Sequence, residues 1–465
     1  MLKYVMLFSF SCFFLFSCKQ APRIKTVSET VAKTIEKPID KSLPDWAKNA
    51  TIYEVNMRQF TKEGTFQSFI PHIDRLKKMG VDILWFMPIY PISETKRKGG
   101  LGSPYAVSDY KNTNPEFGSL EDFDKMVAAI HKAGMKIILD WVPNHTGWDN
   151  PWITAHPDWY TQDSLGNIID PIDYNTGESW GWTDVADLNF DKKEMRQEMI
   201  KSLLFWIEKH NIDGYRMDVA HGVPDLFWSE VSDALFAKKH VFMLSEGETH
   251  SHRNLGNFHM DYGWSFHHLL NEIAKGEKNV EDLREWYVQD QKNYQSGFHM
   301  HFTSNHDENT WAGTVFDRMG EAHKPLAVVS QTFEGMPLIY GGQEEPLKKR
   351  LKFFEKDEIG FNDYAYQEFY TKLNALKHKN KALWNGKYGG APTFISNSKD
   401  IMAFQREKDG DSVAIFINLS DKKAEAIIDK DIKGLKNIDT GKSIDFKKGD
   451  SIKLEPWAYV VASSN

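Results

Sequence analysis

Residues 119–140 read SLEDFDKMVAAIHKAGMKIILD, a stretch that holds one helix, one stop and one strand in that order. Ser119 followed three residues later by Asp122 predicts a capping box, the reciprocal pair of hydrogen bonds that opens a helix. Phe123, Met126, Val127 and Ile130 then recur at helical spacing, so one face of that helix is apolar. Gly134 ends it, because glycine enters the left-handed conformation of a helix C-terminus without steric cost. An apolar run from Lys136 to Val142 follows at once. A helix feeding directly into such a run is the repeating unit of an α/β fold with parallel strands.

The same alternation extends in both directions. Strands are predicted at Thr51–Val55, Asp82–Met87, Lys136–Val142, Gly214–Asp218, Val241–Glu246, Phe258–Tyr262, His299–Ser304 and Pro337–Tyr340, with helical spacers between them. Eight such strands are what a closed (β/α)8 barrel requires. The longest gap, about 145–195, is rich in Trp, Asp, Asn, Pro and Gly and reads as an inserted excursion, with a helix resuming at Met195–Lys209. After a last helix near Tyr364–Lys379 the texture changes. Ile401–Arg406, Ser412–Asn418, Glu425–Ile428, Ile452–Leu454 and Ala458–Ala462 run apolar or alternate between Asp-Gly, Lys-Gly and Gly-Asp turns, the pattern of a small antiparallel β domain.

The chain start differs from all of this. Lys3 precedes an apolar run from Tyr4 to Phe16, too short to span a bilayer as a mature helix. Leu15-Phe16-Ser17-Cys18 resembles a bacterial lipobox, with Phe16 bulkier than the usual residue at its place. On that reading the signal is cut before Cys18, which then carries lipid; the other reading is an ordinary secretory signal cut nearby. Both predict export. Lys19 stands where an Asp is associated with inner-membrane retention, which favours the outer membrane. Residues 19–45 are rich in Lys, Glu, Thr and Pro and form a flexible tether. The two cysteines, Cys12 and Cys18, both precede it, so the body has no disulfide and no cysteine-ligated metal. A formal net charge of -8 excludes a nucleic-acid footprint, which needs a basic face.

In a barrel of this kind, chemistry collects at the C-terminal ends of the strands. There the sequence places Asp140-Trp-Val-Pro-Asn144-His145, Gly214-Tyr-Arg216-Met-Asp218, Leu244-Ser-Glu246 and Ser304-Asn-His306-Asp307. No H-E-x-x-H metal motif and no glycine-rich phosphate loop is present. General acid/base chemistry with a carboxylate nucleophile remains, as glycoside hydrolysis uses it: one carboxylate attacks and a second, protonated at rest, protonates the leaving oxygen. Arg216 lies two residues before Asp218, so on a strand both face one side and the guanidinium would keep Asp218 ionised. The 13% aromatic content also offers stacking surfaces, with Trp148, Trp152, Trp159, Trp180, Trp182, Trp264 and Trp311 as candidates.

These four stretches, in this order, resemble the signature of the α-amylase family of retaining glycoside hydrolases. Gly80–Pro88, Tyr105–Tyr110, Ala186–Asn189 and Gly335–Gly341 match its supporting motifs, and the resemblance spans about residues 46–465. It implies a (β/α)8 barrel over 46–380, carrying a small domain B at about 145–195, and a C-terminal β-sandwich over 381–465, behind a signal peptide at 1–17 and a lipidated tether at 18–45. It implies Asp218 as nucleophile, Glu246 as acid/base and Asp307 as transition-state stabiliser. Tyr105, His145, Arg216 and His306 would line the subsite of the reacting glucose, with His221 and Trp311 as further contacts. The retaining mechanism sets the Asp218 and Glu246 carboxyls about 5–5.5 Å apart.

The substrate implied is a starch-type α-glucan or maltooligosaccharide, cleaved at α-1,4 bonds. The alternatives are transfer of the glucosyl unit to another sugar, action on α-1,6 bonds or short oligosaccharides, and a lipoprotein that only binds glucan. The three intact acids argue against the last. His221, where many relatives carry Lys, and Val219 after the nucleophile leave linkage open. The resemblance further implies a structural Ca2+ held by Asn144, Asp187 and the Gly222 carbonyl, although relatives without calcium keep the same Asn and Asp as hydrogen-bonding groups. No organic cofactor is implied.

Overall fold

The helix opened by Ser119 runs Leu120–Lys132. Ser119 Oγ accepts from the Asp122 N–H at 3.2 Å, and Asp122 Oδ2 accepts from the Ser119 N–H at 3.1 Å. Gly134 follows at φ 72°, and the strand begins two residues later. This computed structural model describes residues 39–173 and 176–464. The signal segment, Cys18 and the tether up to residue 38 lie outside the described residues. Among the described residues no helix is long and apolar enough to cross a membrane.

Eight parallel strands close into a barrel in chain order: β1 (Ile52–Val55), β2 (Ile83–Phe86), β3 (Lys136–Trp141), β4 (Gly214–Met217), β5 (Phe242–Ser245), β6 (Met260–Tyr262), β7 (Phe298–His301) and β8 (Met336–Tyr340), which pairs back onto β1. Strand side chains alternate between two faces. Ile52, Ile83, Trp85, Ile138, Leu244, Met260, Met300 and Leu338 form one core, in the barrel interior. Their neighbours Tyr53, Leu84, Ile137, Leu139, Tyr215 and Met243 belong to another, against the surrounding helices. Gly214 begins β4 because nothing larger fits: a Cβ there would lie 2.0 Å from the Phe242 carbonyl oxygen.

The expected strands are present, most of them shorter. The strand predicted at His299–Ser304 begins at Phe298 and stops at His301, so residues 302–307 have left the sheet when they reach the rim. The excursion after β3 is pinned by an antiparallel ladder, His145–Gly147 against Val185–Asp187. The helix after it starts at Lys193, two residues earlier than expected.

Beyond the helix Gln367–Lys379 lie β9 (Thr393–Phe394), β10 (Ile401–Lys408), β11 (Asp411–Asn418), β12 (Ala424–Ile427), β13 (Ile432–Asn437), β14 (Ser443–Phe446), β15 (Ser451–Leu454) and β16 (Tyr459–Ser463). They form a six-stranded sheet, β9-β10-β11-β16-β13-β14, and a separate β12-β15 ladder. Met402, Phe404, Val413 and Ile415 pack against Leu326, Val329, Leu373 and Leu376 of the last barrel helices. The alternate residues Ile401, Ala403, Ala414 and Phe416 pack on the other side with Ala426, Ile428 and Leu454. The buried Arg406 joins sheet to barrel through the carbonyls of Thr332, Phe333, Trp384 and Gly390, at 2.6–3.2 Å.

Candidate active site

Register places the charged groups. Arg216 of β4 stands opposite Asp140 of β3 on one side and Leu244 of β5 on the other, two residues short of Glu246. Strand alternation turns all of these inward at the top of the barrel. The fully buried Arg216 donates through Nη1 to Asp140 Oδ1 and to Asp218 Oδ1, each at 2.8 Å. Its Nη2 lies 2.5 Å from Glu246 Oε1, and its Nε donates to the Tyr262 hydroxyl at 3.2 Å. One guanidinium thus touches acids from three successive strand ends.

Asp218 gives Oδ1 to Arg216, and no donor reaches its buried Oδ2. Glu246 accepts the Val219 N–H on Oε2 at 2.6 Å. Burial and the Glu246 charge push the Asp218 carboxyl well above the ordinary range, with Arg216 opposing them. Burial also pushes Glu246 up, but Arg216, the Val219 N–H, His306 and a hydrogen bond with Asp218 outweigh it and leave Glu246 low. One expectation is corrected here: Arg216 alone does not keep Asp218 ionised, because burial and the Glu246 charge outweigh it. Both acids lean on one guanidinium and hold one proton between them, because two like charges this close in a buried site do not both ionise.

The remaining acids are tied in through His306. Its Nε2 lies 2.7 Å from the Tyr105 hydroxyl and 3.4 Å from Asp307 Oδ2; its Nδ1 lies 2.5 Å from Glu54 Oε1. Tyr105 donates to Asp140 Oδ2 at 3.1 Å, and the Trp85 indole N–H reaches the same oxygen at 3.2 Å. Burial raises Asp140 to about 6, with Arg216 and His306 opposing. Glu54, Trp85 and Tyr262 were not foreseen. Each sits within an apolar run, where the pattern reads as core; the signal available was a lone Glu in the β1 run.

Above this floor opens a cleft of about 820 Å³. Tyr105, His145, Asp218, His221, Glu246, His306, Asp307 and Trp311 all line it, and Arg216 lies beneath. Burial pulls His145 down to about 3, so its ring is a neutral partner. Trp180 and Trp182 pack edge to face at 4.8 Å on the wall from the insert, and Trp264 is also in the cleft. Trp148, Trp152 and Trp159 are not: Trp152 packs on Tyr110 and Trp159, and Lys96 lies over the Trp148 ring. Trp311 is 54% exposed and packs on Phe353, which stacks on Tyr105. Lys98, paired with Asp184 at 2.9 Å, also reaches the cleft, and nothing in its surroundings in the sequence marked it.

A second cavity, of about 490 Å³, lies by Phe258, Phe298 and Glu334, at the start of β6, β7 and β8. Arg253, Asp261, His299 and Asp290 form an ion chain beside it, two cations against two acids.

The proposed metal ligands come together, since Asn144 Oδ1 is 2.9 Å from where a Cβ on Gly222 would sit and Asp187 pairs with His145 across the ladder. They offer one carboxylate, one amide oxygen and one backbone carbonyl, whereas calcium takes about six to eight oxygens. Among the described residues no group of three or more His, Cys, Asp and Glu side chains is placed to hold a metal. The set does not fit calcium by itself.

The family model "Alpha amylase, catalytic domain" matches residues 41–413. Alpha-amylase 3 of Dictyoglomus thermophilum is 25% identical over 491 aligned positions, covering 90% of this chain and 93% of that protein. An oligo-1,6-glucosidase of Parageobacillus thermoglucosidasius is 25% identical over 376 positions, covering 64% and 65%. The crystal structure of a noncanonic maltogenic alpha-amylase from Thermotoga neapolitana superposes with a TM-score of 0.80 at 25% identity, over 90% of this chain and 99% of that one.

The crowded acids predict a stability effect. A carboxyl whose pKa is raised on folding costs stability in full above its folded pKa; the cost shrinks as pH falls through that value and is gone only below the unfolded pKa of about 4. Asp218→Asn is therefore expected to raise the melting temperature by a few degrees at about pH 8 and by less at about pH 5. An equal or lower melting temperature at the higher pH would contradict the shared-proton arrangement.

Proposed function

The chain belongs to the α-amylase family of glycoside hydrolases, and from that premise we propose a retaining α-glucan hydrolase with Asp218 as nucleophile, Glu246 as acid/base and Asp307 as stabiliser of the transition state. The observation that carries the assignment is the contact of Asp218 and Glu246 with one buried guanidinium, with Asp218 Oδ2 left free beneath an open cleft. The catalytic work belongs to the barrel of residues 46–380 with its insert at 145–195, and residues 381–465 buttress it.

A glucosyl unit entering the cleft separates the two carboxyls and breaks their hydrogen bond. The shared proton goes to Glu246. Asp218, still bonded to Arg216 Nη1, becomes the carboxylate. Asp218 Oδ2 attacks the anomeric carbon while Glu246 protonates the departing glycosidic oxygen, giving a glucosyl ester. Glu246, now ionised, takes a proton from water, which displaces Asp218 and regenerates both groups. Asp307, His306, His145 and Tyr105 hold the sugar hydroxyls, and Trp311 and His221 extend the contacts to neighbouring units.

Cleavage at α-1,4 bonds is the leading reading, and transfer to a sugar acceptor or α-1,6 cleavage the alternatives. Val219 lines the cleft directly after the nucleophile, and His221 stands 6.3 Å ring to ring from Trp180. Starch, pullulan, maltopentaose and isomaltose, each followed by product chromatography and by NMR of the first anomer released, test this. Shorter maltooligosaccharides from starch, born as the α-anomer, are expected, with turnover reduced by about 10³-fold or more in Asp218→Asn. First release of the β-anomer would overturn the mechanism, and products longer than the input would make transfer the main reaction.

Asn144, Asp187 and the Gly222 segment are proposed to brace the insert through protein hydrogen bonds rather than calcium. Treatment with EDTA is then expected to leave the melting temperature within about 2 °C. A larger fall, reversed by added calcium, would establish a metal that fills its coordination from water and carbonyls.

Export as a lipoprotein anchored at Cys18, with residues 18–45 as tether and the outer membrane as destination, is supported by the short apolar run and the Leu-Phe-Ser-Cys18 sequence. In a bacterial host, labelled palmitate is expected to enter the full chain and not the Cys18→Ala form. Equal labelling of the two would exclude the anchor.

A further inference from the structure

Glu54 lies under the cleft, at the third position of β1, with its side chain fully buried. Its Oε1 lies 2.5 Å from His306 Nδ1, and among the described residues no donor reaches its Oε2. Counting hydrogens along the chain fixes the state of that ring. Tyr105 has one hydroxyl hydrogen, and it lies on the bond to Asp140 Oδ2, an oxygen that can only accept while ionised. The tyrosine oxygen must then accept from His306 Nε2, 2.7 Å away, so Nε2 carries a hydrogen. On the other side Nδ1 lies 2.5 Å from the Glu54 carboxyl, and although burial raises that acid, the proton between them belongs on the more basic imidazole, held at about 9. A ring protonated on both nitrogens is an imidazolium.

We propose that Glu54 is a positioning residue that holds His306 as an imidazolium and thereby gives the cleft a fixed positive charge beside Asp307. The use made of that charge rests on the α-glucan reading above; the Glu54–His306 pairing does not. The need for a second cation is electrostatic. Asp140, Asp218, Glu246, Asp307 and Glu54 converge on this floor, and Arg216 alone cannot balance them. An imidazolium between Glu54 and Asp307 answers both and keeps Asp307 available as an acceptor for sugar hydroxyls.

The groups facing His306 are Glu54 from β1, Asp307 and Tyr105 on its Nε2 side, Arg216 from β4, and Asp140 and Glu246 further along the floor, with the Trp85 ring edge-on at 5.9 Å. Burial pulls the imidazole down, Asp307 and Glu54 pull it up, and the balance stands at about 9. The positive charge is therefore present throughout the neutral range and is lost as pH rises through about 9.

Histidine NMR of the whole protein, with His306→Asn identifying the resonance, tests this without reference to activity. Wild-type His306 is expected to stay protonated past about pH 8. In Glu54→Gln its midpoint should fall by about one to three pH units, the effect of removing one opposite charge at contact. The basic limb of the kcat/KM profile should move down with it, and Glu54→Asp, which keeps the charge, should restore part of the shift. A role confined to packing would instead lower activity equally at all pH and leave the midpoint unchanged, which overturns the proposal. So would a wild-type midpoint near that of free histidine, a result that needs no variant. Absence of glucan cleavage by the wild type would sink the functional reading and leave the NMR result standing.

Discussion

A guanidinium with no exposure to water is the constraint around which this barrel top is built. Burying Arg216 removes its hydration, a penalty of several kcal/mol after relaxation, and only well-placed acceptors offset it. Asp140, Asp218 and the Tyr262 hydroxyl supply them from β3, the end of β4 and β6, and Glu246 at the end of β5 adds an ion pair at Nη2. Those acids in turn could not stay charged in a dry barrel without the cation. Neither half of the cluster is stable alone, so the register of the strands and the chemistry of the rim are a single arrangement. A slip of one residue in β4 would turn Arg216 outward into the helix layer.

The barrel also supplies the setting that the proposed exchange of the proton between Asp218 and Glu246 requires. Below the rim the interior is filled by Ile52, Ile83, Ile138, Leu244 and Met300, which exclude water. Above it the cleft is open, so the acids lie at a boundary between low and high dielectric. In such a place a small displacement of one carboxyl changes its pKa strongly. Moving Glu246 away from Arg216 while Asp218 keeps its bond exchanges the preferences of the two, with no movement of the barrel required.

How far this was legible in the sequence follows from which residues break a pattern. Asp140, Arg216, Asp218, Glu246 and Asp307 stand at the ends of apolar runs, where a charge is conspicuous, and all were found. Glu54, Trp85 and Tyr262 lie inside such runs, and only the closed barrel shows that their faces meet at Arg216 and His306. In the C-terminal sheet, β10, β11 and β16 were legible because buried residues dominate them. The strands β9, β13 and β14 were not: Ile432–Asn437 buries only Ile432 and Leu435, and Ser443–Phe446 buries none of its residues fully, so pairing rather than sequence defines them.

Val219 shows how closely fold and chemistry are joined here. A β-branched residue at φ 44° and ψ 39° is strained by roughly 1–3 kcal/mol, and the chain would relieve it with glycine unless something held it. Two contacts do: the Val219 N–H bonds Glu246 Oε2, and the next N–H, of Ala220, bonds the Glu246 carbonyl. The turn after β4 therefore grips the end of β5 by backbone and side chain together, while the valine side chain faces the cleft. A glycine would remove the strain, but it would also free the turn that aims Glu246 and erase a wall next to the reacting bond. The strain is retained because one residue both fixes the acid and shapes the space in which it acts.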